Sequence, residues 1–428
     1  MRIRNLQDIV DWGLCTGCGA CSYACPRQTI TLTDVEGVGI RPTVDGEACG
    51  PDCQCLSYCP GYEVDAHAET GPPPAACPTN DDFGPVLEIW EGYAADPEIR
   101  YAASSGGALT ALALYCLEHE GMESVIHSGM APDRPYTNQT VLSTNRAELM
   151  QRTGSRYAPA APVEGLAWAE QAERPVVFIG KPCDATAAAA LRRQRPELGD
   201  KLGLILAFFC AGTPSTRATL DLMAQSGVTP DNVETVRYRG RGWPGLFETR
   251  SRDGRHEGSW TYDESWGQLQ RGRPFRCHLC PDGLGQVSDI TCGDAWHDYS
   301  QEEGNVGLSL ILIRTERGRE IFRRAREAGY VNVKESTVAE VKLAQENLLG
   351  RRRVIFGRIL AMKLLGIPVT RFPGYGLARY WWRGTTLGTK VRSVFGTLRR
   401  LLKRGLWKRK PLPRGNERPS CVDDLVRH

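Results

Sequence analysis

The sequence predicts an α/β fold, α+β overall. It divides into a small cysteine-rich head, a central domain on a mixed or parallel sheet, and a basic helical tail. Three observations carry this reading. Apolar strand-like runs alternate with helix-like segments through residues 86–350. Eight of the 16 Cys stand in two tight groups before residue 60. From Arg351 to Lys410 there are 17 Lys and Arg and no Asp or Glu, so with a net charge of +3 the other residues carry −14.

A length of 428 residues suits two or three domains. The expected division is a head at 1–70, a Pro-rich linker at 71–85, a central domain at 86–350 and the tail at 351–428. With 41% hydrophobic and 24% charged residues, the composition excludes a disordered or fibrous chain. No apolar run reaches the ~18 residues of a membrane-spanning helix. The start, MRIRNLQDIVDWGLC, lacks an apolar core followed by a small-residue cleavage site. A cytoplasmic protein is therefore expected, and there close-set Cys are metal ligands before they are disulfides.

In the head, Cys15, Cys18, Cys21 and Cys25 form C-x2-C-x2-C-x3-C-P, the run of a bacterial ferredoxin. Three close thiolates fit three corners of a [4Fe–4S] cube, and the fourth serves a second cluster. Gly17, Gly19 and Ala20 let the loop wrap and aim backbone N–H groups at sulfur. Cys49, Cys53, Cys55 and Cys59 repeat the outer intervals, with the middle Cys shifted by one place. The predicted pairing is Cys15, Cys18, Cys21 and Cys59 on one cluster, and Cys25, Cys49, Cys53 and Cys55 on the other. A zinc knuckle fits less well, because zinc hooks come as two separated pairs. Residues 29–32 and 40–42 read as a short hairpin. The segment 71–80, GPPPAACPTN, reads as the linker, with Cys77 an incidental thiol. The head is thus expected to hang from the central domain by its linker and to receive electrons.

In the centre, strands are expected at 86–94, 175–180, 202–210 and 306–314, and helices at 103–117, 218–225 and 316–327. Ser104-Ser105-Gly106-Gly107 stands between a strand and an apolar helix. Ser favours an N-cap, and the glycines let N–H groups approach a phosphate. Cys183 and Cys210 follow predicted strands, and Cys277 and Cys280 form a C-x2-C hook. Groups beyond the strand ends of an open α/β sheet converge on one crevice. Zinc, iron–sulfur and unconnected core thiols all remain open on spacing alone. His278 reads as an exposed spacer and Cys292 as a strand residue. No Ser-His-Asp or Cys-His pattern calls for hydrolysis.

Taken in order, SSGGALTALALY, GSRYAP, FIGKPCDATA, FFCAGTPS and CHLCPDGLGQVSDITCGDAW, together with the ferredoxin run, resemble the β-subunit family of coenzyme F420 hydrogenases and dehydrogenases. The resemblance spans residues 11–330. It implies FAD as the central cofactor and a third [4Fe–4S] cluster on Cys183, Cys210, Cys277 and Cys280. It also implies flavin contacts from Ser104, Ser105, Gly106, Gly107, Gly154, Ser155, Arg156, Tyr157, Gly180, Lys181, Pro182 and Asp184. Lys181 stands where the family often has Thr, and Ala211 where it often has His; a cation at 181 would favour negative charge on the reduced flavin ring.

The resemblance implies an oxidoreductase that joins one-electron traffic through clusters to two-electron flavin chemistry on a small substrate, a deazaflavin or another. The partner would be ferredoxin or another low-potential protein. Two alternatives stand beside it: a ferredoxin-dependent reductase of a chlorophyll-type or lipid-linked substrate, and a non-catalytic electron-transfer subunit. In the tail, Val391, Val394, Phe395, Leu398, Leu401, Leu402 and Leu406 recur near helical spacing among Lys and Arg, with Trp381, Trp382 and Trp407 alongside. An anionic membrane surface on the inner face of the membrane suits this pattern first. An acidic protein, the protein's own acidic body and, last, nucleic acid follow.

Overall fold

A computed structural model describes residues 2–44, 54–67, 79–80, 82–298, 307–411 and 416–417. Cys49, Cys53 and Cys77 lie outside them. The head opens with the helix Leu6–Asp11, whose N-cap Asn5 side chain accepts from Asp8 N–H at 2.9 Å. Its hairpin pairs β1 (Ile30–Val35) with β2 (Gly39–Val44), Ile30 opposite Val44.

The centre is one mixed sheet of eight described strands: β3 (Glu88–Ala94), β4 (Val125–Met130), β5 (Asn138–Ser143), β6 (Val176–Gly180), β7 (Leu202–Phe208) and, after a separate three-stranded meander of β8 (Val233–Arg237), β9 (Phe247–Ser251) and β10 (Glu257–Trp260), β11 (Ile290–Asp294), β12 (Ser309–Ile313) and β13 (Val331–Glu335). Across the sheet the order is β13-β3-β12-β11-β7-β6-β4-β5. The inner run β11-β7-β6-β4 is parallel, and the flanks are antiparallel.

The parallel strands are buried on both faces, so they read as continuous apolar runs rather than alternations. Val177, Ile179, Leu204 and Leu206 face the helices Ala108–His119 and Glu316–Glu327. Their neighbours Phe178, Ile205 and Ala207 face the helix Pro182–Gln194, whose Ala185, Ala187, Ala188 and Ala189 let it lie close. The edge strands β5 and β13, and β4 beside the edge, carry His, Asn, Gln and Lys among their apolar residues, and sequence pattern alone did not mark them.

The head does not hang from its linker. Cys18 C=O accepts from Val163 N–H at 3.1 Å. Gly19 sits at φ +91°, and a Cβ there would fall 2.9 Å from Ala161 O. Thr216 Oγ1 donates to Asp34 at 2.6 Å, and Arg195 donates to Ala24 O at 3.0 Å. Cys18, Ala20, Ala24 and Tyr58 share a core with Val163, Leu166 and Ala187. The expectation of a tethered, separable head is corrected by this packing: the small residues that let the loop wrap its thiols also let it seat on the body.

The tail folds back as well. The helices Glu346–Leu364 and Leu387–Lys403 pack together. Ala361, Met362, Val394 and Leu401 share a core with Ile9, Val10, Leu14 and Leu279. Arg409 Nε donates to Asp11 at 2.7 Å. One side of the basic helix is therefore covered by the protein itself.

Candidate redox site

Four dispersed thiols come together because the parallel strands end at one rim. β6 runs through Gly180 into Pro182 at the first position of its helix, where a fixed φ and missing N–H cost nothing. Cys183 follows in that first turn. Cys210 lies two residues beyond β7, its N–H bound to Gly283 O at 2.8 Å. Cys277 sits in the short helix Phe275–His278, and Cys280 just after it. All four line one cavity, and the head's Cys15 and Gly17 line it too. The cavity has a volume of about 50 Å³, several times what one water needs, on the order of 10–15 Å³.

The donor set fits a [4Fe–4S] cluster. A cubic cluster takes each of four thiolates on a separate iron. The surroundings are cationic. Arg351 donates to Cys210 O at 3.1 Å and Ala211 O at 2.8 Å, and Arg273 to Ala211 O at 2.6 Å. Burial first, then the charges of Arg400, Arg351 and Arg273, pull the Arg358 guanidinium down to about 10. Burial and the same arginines pull His278 down to about 4, so it is a half-buried neutral ring rather than the exposed spacer expected. Such a concentration of positive charge is relieved by an anion, and four thiolates on an iron–sulfide core supply one. Burial pushes the Cys210 thiol up to about 12 and raises Cys183 well above the ordinary thiol value, a cost that metal binding would offset.

In the head, burial also raises Cys18, Cys21 and Cys59. Cys21 is raised by the charges of Cys15, Cys18 and Cys59 and also by Cys55, a thiol expected on the other cluster. Gly17 N–H points to Cys15 Sγ at 3.4 Å. Cys25 packs with Cys55 and with Cys21 of the first set. Burial works to raise Cys25, but the Thr29 hydroxyl and neighbouring backbone N–H groups outweigh burial and hold it below the ordinary thiol value. The two thiols expected to join Cys25 and Cys55, Cys49 and Cys53, lie outside the described residues.

The twelve residues proposed for the flavin fall in two places. Gly154, Ser155 and Arg156 line a second, larger cavity of about 570 Å³, together with Arg152, Arg237, Arg239, Arg241 and Arg250. Ser104 stands behind it, its Oγ accepting from Ser155 N–H at 2.5 Å. Arg156 spends its guanidinium on Asn138 and on the carbonyls of Pro135, Thr137 and Val236, so it braces the wall. Tyr157 stacks obliquely on Trp266. The expected Ser N-cap is corrected: Gly107, at φ +81°, is the N-cap of Ala108–His119. Ser105 instead bonds Ser309 Oγ at 2.8 Å, and Gly106 is pressed against Gly92 O and Ser309 N, where no Cβ fits. Gly180, Lys181, Pro182 and Asp184 belong to the thiol cavity's side. Lys181 Nζ is buried 2.6 Å from Asp184 and 3.2 Å from Ala160 O. Burial alone would lower this lysine; the charge of Asp184, then of Cys183, outweighs burial and keeps it protonated.

Sequence reasoning missed Arg239 and Asp294. Arg239 is almost wholly buried, 2.7 Å from Asp294 at the end of β11, and lies over Tyr262 and Trp296. Trp243 Nε1 donates to Asp294 at 2.8 Å. Asp294 lies within the CGDAW end of a quoted motif, but nothing in the sequence pairs it with Arg239, 55 residues away.

Known proteins agree with this architecture. Models of the coenzyme F420 hydrogenase/dehydrogenase β subunit match at residues 89–167 for the N-terminal part and 173–338 for the C-terminal part, and a 4Fe-4S binding domain matches at 8–31. The chain belongs to the F420 hydrogenase/dehydrogenase β-subunit family. A 4Fe-4S binding domain precedes its two β-subunit regions. Among its relatives, the F420-dependent formate dehydrogenase subunit beta of Methanocaldococcus jannaschii is 25% identical, over 59% of this chain and 63% of its own length. The match thus spans less than two thirds of that relative. The coenzyme F420 hydrogenase subunit beta of Methanococcus voltae is 24% identical, over 67% of this chain and 99% of its length. A chain of the F420-reducing [NiFe] hydrogenase complex from Methanosarcina barkeri shares the fold, with a TM-score of 0.51 and 20% identity over 68% of this chain and 97% of that one.

Proposed function

We propose that this protein is an FAD-dependent iron–sulfur oxidoreductase that exchanges electrons between a low-potential protein partner and a small two-electron substrate, with a deazaflavin of the F420 type as the first candidate. The observation that carries the reading is the shared cavity: Cys15 of the head and Cys183, Cys210, Cys277 and Cys280 of the body line one space. Two thiol sets side by side make a path for single electrons.

When bound, the clusters supply one-electron steps and the flavin links them to two-electron chemistry. The chain's own residues do the rest. Gly154, Ser155 and the arginines of the larger cavity would hold the dinucleotide, their cations matching a pyrophosphate in a space of the size ligand sites use, roughly 300–1,000 Å³. Lys181 Nζ, held protonated by Asp184, keeps a cation beside the thiol cavity that favours negative charge there. Arg239 and Asp294 fix the loop behind the GSRY segment through Ser104. Pro182 and Arg276 help wall the thiols from water.

Denaturing protein purified without oxygen should release a yellow chromophore with the mass of FAD, and the reduced protein should reduce F420. FAD release without F420 turnover would retain the flavoprotein and remove the deazaflavin. Absence of FAD from cluster-loaded protein would favour the relay subunit, a reading supported by the relatives named as subunits of larger enzymes.

A further inference from the structure

We propose that the outward face of the helix Leu387–Lys403 is a docking surface for an anionic phospholipid membrane, on which it lies without crossing. The helix carries one apolar stripe too wide for its own protein to cover. One edge of it, Val394, Leu398 and Leu401, packs on Ala361, Met362 and the head. A helix that only docks on its own protein needs no apolar residues beyond that edge. Yet Leu387, Val391, Phe395 and Leu402 point to solvent, Leu387 at 76% exposure and Phe395 at 65%. Their spacing of four, four and seven residues places them along one face. Trp382 extends the row, 70% exposed, with Lys390 Nζ 4.9 Å from its ring.

Charge decides what covers this face. The exposed Arg392, Arg399 and Lys403 stand between the apolar residues, and no Asp or Glu occurs from 351 to 410. A headgroup boundary accepts both kinds of side chain at once: acyl chains take Leu, Phe and Trp, and phosphates take the cations. Nucleic acid would use the cations but leave Leu387, Val391 and Phe395 against a polar backbone. Among the described residues no helix is long and apolar enough to cross a membrane, so the contact is peripheral. Docking would bring the head thiols toward the lipid, because the same helix packs on Leu14 and Cys15. The surface stands independently of the redox reading.

Vesicle flotation of the full-length protein without oxygen tests it. At low salt the protein should float with phosphatidylcholine vesicles containing about 30% phosphatidylglycerol and stay behind with phosphatidylcholine alone. Raising salt should release it. Replacing Arg392, Arg399 and Lys403 together by Gln should weaken binding on the order of a hundredfold, about fivefold for each cation. Val391→Ser with Phe395→Ser should also abolish flotation while leaving iron content and thermal midpoint unchanged, since both side chains are exposed. Equal flotation by either variant, failure of the native protein to float, binding indifferent to salt, or tighter binding to duplex DNA or an acidic protein than to these vesicles would each overturn the proposal.

Discussion

The first thiol set of the head and the thiol set of the centre are chemically alike but differently built. Cys15, Cys18 and Cys21 are carried by one loop of seven residues, and only Cys59 arrives from elsewhere. Cys183, Cys210, Cys277 and Cys280 come from the ends of two strands and a short helix. A local loop can present its ligands before the rest of the chain has folded. A dispersed set exists only after the sheet has formed, so metal binding there is coupled to the tertiary fold. The shared cavity couples the two in turn, because Cys15 stands in it.

The largest test of this contrast is removal of one ligand from each set. Cys210→Ala should lower bound iron from about twelve to about eight per chain, at four irons per cluster. It should also lower the thermal midpoint of the body sharply, because three separate elements lose their tie. Cys18→Ala should lose the same amount of iron with a smaller shift, its loop remaining seated through Gly19 and the Cys18 carbonyl. Iron and acid-labile sulfide assays with calorimetry read both. Equal shifts would sink the idea that the dispersed set carries more of the fold.

Next in size is Arg239→Leu, which leaves Asp294 without its buried cation and removes the donor to Ser104 O. Breaking a buried pair from one side costs about 3–5 kcal/mol. Denaturant midpoints should drop accordingly, and FAD retention should fall, whereas iron content of the head should not.

His127 provides a pH test of the sheet's far flank, away from both thiol sets. It is buried on β4 against Ser143 at 2.8 Å, and burial pulls it from 6.5 down to about 4. The folded protein therefore resists protonation there while the unfolded chain accepts it. Stability from this residue is complete above about pH 6.5, is lost as pH falls toward 4, and changes no further below; the span is worth on the order of 3 kcal/mol. His127→Gln should flatten the urea midpoint between pH 4.5 and 7. A slope identical to that of the native protein would show that another group carries it.

The smallest effect probes the seam. Gly19→Ala forces a side chain into φ +91° and against Ala161 O. It should cost roughly 1–3 kcal/mol. Because the head is seated on the body, flavin reduction by an external donor should slow even with iron fully loaded. An unchanged rate would restore the picture of a freely tethered head.

Much of this was legible in the chain. The ferredoxin run is a local code, since three thiolates on one cube must lie within one loop. The inner strands were plain because burial on both faces forces uninterrupted runs such as VVFIG and LGLILAF. Val125–Met130, Asn138–Ser143 and Val331–Glu335 were not, because strands at or next to the sheet edges mix polar residues into the pattern. The serines of SSGG carry capping chemistry by type, but only the fold showed that Gly107 caps and the serines tie loops together.

By itself the sequence determined which atoms are available: thiolates in sets of four, a cationic tail without acids, and apolar runs of strand length. Only the tertiary structure decided that Cys15 faces the central thiols, that Arg239 meets Asp294, and that the basic helix is covered on one side and bare on the other. The physical reason is distance along the chain. Local spacing sets what one loop or one helical turn can do, whereas contacts between residues fifty to four hundred positions apart are chosen by the burial of the whole core.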